Sequence, residues 1–282
     1  MKKRVFNGFL AIMTTVLCLT SVTQAKSYQQ AVMEDSPLLY LRFEDADMSH
    51  GAPAADLGSV GRGGTYIASN TAPIVPTAGS AGTKGTGQAA YLPQTNTASP
   101  AGNCVDIWDG PLDFSIPVVT YEAWIRIAPG DLAYSRIFQH NGDWLNEGGP
   151  GVMMNSGQYG VIGGDSTDYI DALTDDGEWH HVVVTYDSGA SVLKQLYVDG
   201  GFVATAMGPN DLRYTFDRIT IGGEGNQWWI YNHMKGCVDE FAIYEGVLDA
   251  GSILEHYMEG TPEPATLALL GLGGLALIRK RR

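Results

Sequence analysis

Short runs of alternating or β-branched apolar residues, each closed by a Gly, Asp or Asn turn, recur along the middle of this chain and point to an all-β fold. Tyr121, Ala123, Ile125 and Ile127 alternate with Glu122, Trp124 and Arg126, and Leu39, Leu41 and Phe43 alternate in the same way. Successive strand residues face opposite sides, so each such run offers one apolar face to a core. Trp179 to Asp187 and Asp217 to Gly222 are further β-branched runs. Leu193 to Val198, Asp199-Gly200-Gly201 and Phe202 to Ala204 spell a hairpin, because glycine supplies the positive φ of a tight turn. Many short strands with such turns predict a sandwich rather than alternating β–α units. Helices are expected only over Tyr28–Glu34 and Asp249–Met258. In the second, Asp249 is the N-cap, Ile253, Leu254 and Tyr257 share one face, and Gly260 terminates. The stretch 70–103, rich in Thr, Ala, Pro and Gly, is expected to be a long surface connection.

The charge of the chain is unevenly spread. The formal net charge is -14, yet residues 27–260 carry nine basic against thirty acidic residues, while residues 1–26 and 261–282 carry four basic residues each. An acidic middle excludes a nucleic-acid partner, which needs basic surface. Lys2-Lys3-Arg4, the apolar run Phe9 to Leu19, and small residues at Thr23 and Ala25 form a secretory signal, with cleavage expected after Ala25. Export leaves Cys104 and Cys237 as an even pair in an oxidising compartment, so a disulfide between them is expected. Residues 27–260 are then one sandwich domain. Beyond it, Pro262-Glu263-Pro264 breaks the helix, Ala265 to Ile278 is uncharged and largely apolar, and Arg279-Lys280-Arg281-Arg282 is a basic stop. Fourteen such residues are marginal for a span of ~30 Å, so transient membrane insertion of 265–278 is expected, with the cations held on the cytoplasmic side.

The order Pro-Glu-Pro, hydrophobic run and Arg-rich end at 261–282 resembles the PEP-CTERM sorting signal of Gram-negative bacteria that make exopolysaccharide. That resemblance implies recognition by a membrane exosortase and a destination at the cell surface, extracellular matrix or outer envelope. The middle carries a second resemblance. Tyr28…Asp35-Ser36-Pro37…Tyr40-Leu41-Arg42-Phe43-Glu44, Glu122-Ala123-Trp124-Ile125, Gly177-Glu178-Trp179-His180-His181-Val182, Leu196-Tyr197-Val198-Asp199-Gly200 and Lys235-Gly236-Cys237-Val238-Asp239-Glu240-Phe241 are similar, in order, to LamG-type concanavalin A-like domains. This implies a jelly-roll sandwich of two antiparallel sheets, with a carbohydrate- or protein-binding role and often one structural calcium.

Such a calcium needs six to eight hard oxygens. Glu44 and Asp239 are its expected ligands, since related sandwiches bring those two strands together, and Asp56 in a Gly-rich turn is a third candidate. For ligand contact, Asn226, Trp228, Trp229 and Tyr231, with Trp144 from a neighbouring loop, combine ring faces for sugar stacking with an amide for hydroxyls. Trp124 and Trp179 sit in strand blocks and are expected in the core. The paired acids of a sandwich glycosidase strand, Glu-x-Asp-x-x-Glu, do not occur, nor does a Gly-x-Ser-x-Gly elbow. The acids of 165–178 read as solvated loop carboxylates. His180 and His181 are adjacent on a strand and point to opposite faces. The expectation is therefore an exported, surface- or matrix-associated, non-catalytic module for glycans such as extracellular polysaccharide. The alternative is a structural or adhesive protein-interaction domain that binds no sugar, and a glycoside hydrolase ranks third.

Overall fold

The computed structural model describes residues 26–261 except 69–72, 79–86, 94–102, 109–115, 130–134, 141–148, 156–157, 164–165, 172–175, 189–191, 209–211, 213–217 and 227–228. The expected signal segment and sorting tail therefore lie outside the described residues. Helix α1 (Tyr28–Glu34) is followed by β1 (Leu39–Leu41), β2 (Pro53–Ala54), β3 (Gly64–Ile67), β4 (Val75–Ala78), β5 (Gln88–Leu92) and β6 (Cys104–Trp108). Next come β7 (Val118–Ile127), β8 (Ser135–His140), β9 (Gly151–Asn155), β10 (Gln158–Gly163), β11 (Ser166–Asp171) and β12 (His180–Asp187). The described elements close with β13 (Val192–Val198), β14 (Gly201–Gly208), β15 (Arg218–Ile221), β16 (Glu224–Asn226), β17 (Trp229–Tyr231), β18 (Gly236–Glu245) and α2 (Ala250–Gly260).

Two sheets carry the fold. Sheet A runs β14-β13-β12-β7-β18-β5-β4, with β1 also paired to β18, and sheet B runs β11-β10-β9-β8-β15-β6-β3-β2. Their inner faces meet in an apolar core that includes Leu39, Leu41, Tyr66, Val105, Ile107, Tyr121, Ile125, Phe138, Val152, Val161, Ile219 and Phe241. Rings join the layers: Tyr121 of β7 stacks on Phe138 of β8 at 4.8 Å, and Phe138 meets Phe241 of β18 edge-on at 5.6 Å. The predicted hairpin forms as β13–β14. Val198 pairs with Gly201, and both turn residues, Asp199 and Gly200, have positive φ, as a two-residue turn with a matching twist requires.

A second, smaller core lies on the outer face of sheet A. Tyr40, Trp124, Val183, Ala242 and Tyr244 face away from sheet B and are covered by Tyr28 and Val32 of α1 and Ile253 of α2. Ser27 and Gln30 cap α1 reciprocally, and Asp249 caps α2 through the amides of Gly251 and Ser252. Helix α2 departs from expectation in its orientation. Ile253, His256 and Gly260 are buried, Tyr257 is half-buried, and Leu254 is exposed. Gly260 is the last helical residue rather than a stop beyond the helix, because a Cβ there would lie 2.5 Å from the Trp124 ring.

Two more expectations are corrected. The stretch 70–103 is no simple connection: within it, β4 and β5 pair with each other, and β5 pairs with β18 in sheet A. Cys104 and Cys237 are free, buried thiols. Cys104 is in sheet B and Cys237 in sheet A, and their neighbours Val105 and Val238 point into the inter-sheet core. The two sulfurs therefore project from opposite outer faces. Stacked sheets are ~10 Å apart, whereas a disulfide needs Cα atoms within ~7 Å. That geometry forbids the expected bridge.

Candidate functional site

A polar row crosses the outer face of sheet B. Ile107, Ile219 and Ile221 enter the core, so the alternate residues Asp106, Arg218 and Thr220 face outward. The register aligns Gln139 of β8 with Thr220 of β15, Thr220 with Asp106 of β6, and Asp106 with Thr65 of β3. Arg218 grips Asp106 in a bidentate pair, Nε to Oδ1 at 2.5 Å and Nη2 to Oδ2 at 2.6 Å. Burial raises the pKa of the Asp106 carboxyl, although the Arg218 charge opposes that shift. Thr220 donates its hydroxyl to the Gly223 carbonyl at 2.8 Å. At the end of the row the residue opposite Gln139 is Gly151, and a Cβ there would fall 2.7 Å from Gln139 Oε1. The missing side chain at Gly151 is what gives the Gln139 amide its space.

Two hydrogen-bonding atoms of this row are unspent. Gln139 Oε1 and Arg218 Nη1 are buried and have no partner among the described residues. Native interiors seldom leave such groups unpaired, because each costs about 1–3 kcal/mol. The hairpin β16–β17 starts beside the row and contacts β15 and β8. It pairs Asn226 with Trp229 and Glu224 with Tyr231, and Arg136 of β8 donates its amide to Asn232 just after it. The backbone thus carries Asn226, Trp229 and Tyr231 close to β15 and β8, while Trp144 and Trp228 lie outside the described residues. Neither a repeat nor a motif announces the row itself. Its members come from four strands far apart in the chain, Thr65 from β3, Asp106 from β6, Gln139 from β8 and both Arg218 and Thr220 from β15, and only the register aligns them.

The expected metal ligands divide. Asp56 spends both oxygens on backbone amides, Oδ1 accepting from Tyr40 and Gly58 and Oδ2 from Arg62, so it organises its turn. Asp239 keeps Oδ2 buried and unpartnered, while Oδ1 accepts the Glu240 amide at 2.9 Å. Burial, reinforced by the neighbouring charges of Glu240 and Glu44, raises the Asp239 pKa well above the usual carboxylate range. Glu44 is near enough to act on Asp239 electrostatically and accepts the Gln88 amide at 3.2 Å. A bulge creates this crowding. Between Asp239 and Ala242 the register against β7 slips, and Glu240 takes a φ of 51°. Its carboxylate accepts from the Tyr40 hydroxyl and from Arg42, and burial pushes it up to about 7 against the pull of Arg42. Among the described residues, no three His, Cys, Asp or Glu side chains are arranged to hold a metal. Of the three expected ligands, Asp239 is the one with a carboxylate oxygen that accepts no hydrogen bond among the described residues.

A third cluster, which no motif announces, lies beneath the helices. Glu122, fully buried on β7, accepts from Tyr28 Oη and Tyr244 Oη at 2.6 Å each, is 2.7 Å from His181 Nε2 and 3.0 Å from His256 Nδ1. The other nitrogen of His256 meets Asp35 at 3.2 Å. Burial opposes ionisation of Glu122, but the His256 charge and the histidine hydrogen bonds overcome it and hold its carboxyl well below the usual range. A carboxylate with four donors, sealed from solvent, has no lone pair left for a substrate. It ties α1 and α2 to the sheet. His180, on the other face, meets Asp199 at 2.8 Å and Asp176 at 3.2 Å. Of the acids expected on a loop, Asp168 is in strand β11 and pairs with the buried Lys194 at 2.5 Å.

Comparison with known proteins agrees with this architecture. Residues 85–254 match the concanavalin A-like lectin/glucanases superfamily. The chain belongs to that superfamily. Residues 261–282 match the PEP-CTERM protein-sorting motif. Among curated proteins, no sequence matches the chain significantly. Among solved structures, domain 4 of AbnA, a GH43 extracellular arabinanase from Geobacillus stearothermophilus in complex with arabinotriose, is 19% identical, with a TM-score of 0.55 over 79% of this chain and 98% of that one. The binding domain of Paraclostridial Mosquitocidal Protein 1 is 14% identical, with a TM-score of 0.56 over 80% of this chain and 52% of that one. A structure of botulinum neurotoxin type C, whose cell entry depends on interaction with two ganglioside molecules, is 14% identical with a TM-score of 0.57, over 80% and 52%. The chain thus spans about half the length of these toxin chains, and the likeness is one of fold.

Proposed function

We propose that this superfamily member is an exported, non-catalytic binding module that takes glycans on the outer face of sheet B. The observation that carries the reading is the polar row Gln139-Thr220-Asp106-Arg218, with a donor and an acceptor unspent, beside a hairpin bearing Trp229 and Tyr231. The groups of the row suit sugar hydroxyls, and the residue types of the hairpin suit a C–H face. Gln139, Thr220 and Arg218 are at most 4% exposed, so binding requires this floor to open. Two neighbouring folds support the ligand class, since one was solved with arabinotriose and another belongs to a toxin that interacts with gangliosides. The signal-like segment 1–25 and the sorting motif at 261–282 support export to the envelope or surface of a Gram-negative bacterium, with exosortase as processing partner. A single calcium held by Asp239 and Glu44 completes the proposal, as a structural clamp between the two segments that carry them.

The test is a glycan array probed with the exported protein and with Arg218→Met and Trp229→Ala. Binding by the parent protein that both substitutions weaken at least about tenfold, a loss of about 1.4 kcal/mol, supports the reading. A silent array overturns it in favour of an adhesive domain, and sugar turnover by the parent protein overturns its non-catalytic part.

A further inference from the structure

Four large apolar side chains stand exposed on the helix-bearing side of sheet A: Met33 of α1, Leu254 and Met258 of α2, and Phe202 of β14, the last 57% and Met258 61% exposed. Leu254 and Met258 are one turn apart on the same helix face. Phe202 pairs with Tyr197, which belongs to the layer beneath the helices, so it flanks α2 on the same side. The turn before Phe202 abuts that helix, since a Cβ on Gly200 would lie 3.1 Å from Leu254 Cδ1. Single exposed apolar residues are ordinary on a soluble surface. Of the nine large apolar side chains exposed among the described residues, these four gather on the helix-bearing side, and there they border the residue from which the sorting tail departs.

The tail constrains what can lie against that face. Thr261 follows α2 directly, and the apolar run begins at Ala265, four residue steps on. Even fully extended, four residues reach only about 14 Å. Fourteen helical residues span about 21 Å, short of the ~30 Å hydrocarbon core, so their flanks are drawn toward the membrane rather than held off it. A domain tethered so tightly rests on the bilayer with whichever surface surrounds its point of attachment.

We infer that Phe202, Leu254, Met258 and Met33 form a docking surface for the lipid bilayer that holds the tail. The inference rests on membrane insertion of 265–278 and is independent of whether a glycan is bound. Shallow insertion of these side chains lays α1 and α2 against the headgroups. The polar row of sheet B, on the opposite face of the sandwich, then points away from the membrane toward the surroundings. Glu34, Glu255 and Glu259, the acids of these two helices, favour a zwitterionic surface over an anionic one.

The experiment places an environment-sensitive fluorophore on Phe202→Cys, or on Tyr169→Cys of sheet B as control, in the full chain with phosphatidylcholine vesicles. Cys18 of the signal segment is replaced by Ser, and Cys104 and Cys237 are buried, so the introduced thiol is the one labelled. The expected result is co-flotation with vesicles, a blue-shifted emission at 202, and quenching by lipid-borne bromine several-fold stronger at 202 than at 169. Adding Leu254→Asn and Met258→Asn should abolish that difference while the tail still floats the protein. Equal quenching at both positions, no co-flotation, or a shift at 202 that follows protein concentration without lipid overturns the inference, the last in favour of a second copy of the chain.

Discussion

At the residue scale, Asp239 and Glu240 are the least comfortable groups of the fold. Two adjacent carboxylates are buried at a bulge, one with an oxygen unpartnered and the other facing Arg42 and Tyr40. Burial raises both, Glu240 from 4.5 to about 7. The folded state therefore holds protons that the unfolded chain releases. The stability this contributes is fully present below pH 4.5 and is lost as pH rises through about 7. Buried His140, held down to about 3, contributes in the opposite sense, so the carboxylate effect is read as a difference. Across that window the melting temperature of chelator-treated parent protein is expected to fall relative to that of Asp239→Asn. A cation bound to ionised Asp239 and Glu44 counters the cost, so added calcium should raise the melting temperature more at pH 8 than at pH 5. Protein shown to be metal-free that does not respond to calcium at pH 8 excludes the clamp.

At the scale of elements, one side chain ties four others to its own strand. Glu122 of β7 receives Tyr28 from α1, His256 from α2, and His181 and Tyr244 from the flanking strands β12 and β18. The neighbouring strands place their donors by register, since Trp124 of β7 lies opposite His181 and Glu122 opposite Ala242. Removing one charge from a buried pair leaves the other uncompensated and typically costs 3–5 kcal/mol. Glu122→Gln is accordingly expected to destabilise the domain by about 3 kcal/mol, lowering the melting temperature by roughly 10 °C in a chain of this size. Amide exchange should rise first in α1 and α2. A variant that melts with the parent would show that the helices are held by their apolar contacts alone.

At the scale of the whole molecule, the sandwich keeps its two thiols apart. Cys104 and Cys237 point out of different sheets, and burial pushes the Cys104 thiol far above its usual pKa and the Cys237 thiol upward despite Arg126. Thiolate is the reactive form, so both should resist alkylation in the native protein and react fully in denaturant. Reductant should leave the melting temperature unchanged. A mass two units low in the exported protein, or a reductant-sensitive melt, would mean that the two sheets are linked after all.

The chain's local pattern was sufficient for the parts of this fold that are themselves local. A two-residue turn needs positive φ at adjacent positions, and Asp199-Gly200 offers it. A helix start needs an oxygen for its free amides, and Ser27 and Asp249 supply one each. Alternation and β-branched runs placed strands such as β1, β7, β12, β13 and β15, but not β8 to β11, nor β4 and β5 within the expected connection. The overall architecture followed from the strand-and-turn pattern and the order of the blocks. Which strands share a sheet, and which face a side chain takes, depends on contacts between residues far apart in the chain. Glu122 and His256 are 134 positions apart, and Arg218 and Asp106 are 112 apart. Tertiary packing therefore separated Cys104 from Cys237, turned Leu254 outward where helical periodicity put it inward, and gave both oxygens of Asp56 backbone amides to accept. It also assembled the polar row of sheet B, since cross-strand register is a property of the folded sheet and leaves no period or motif in the sequence.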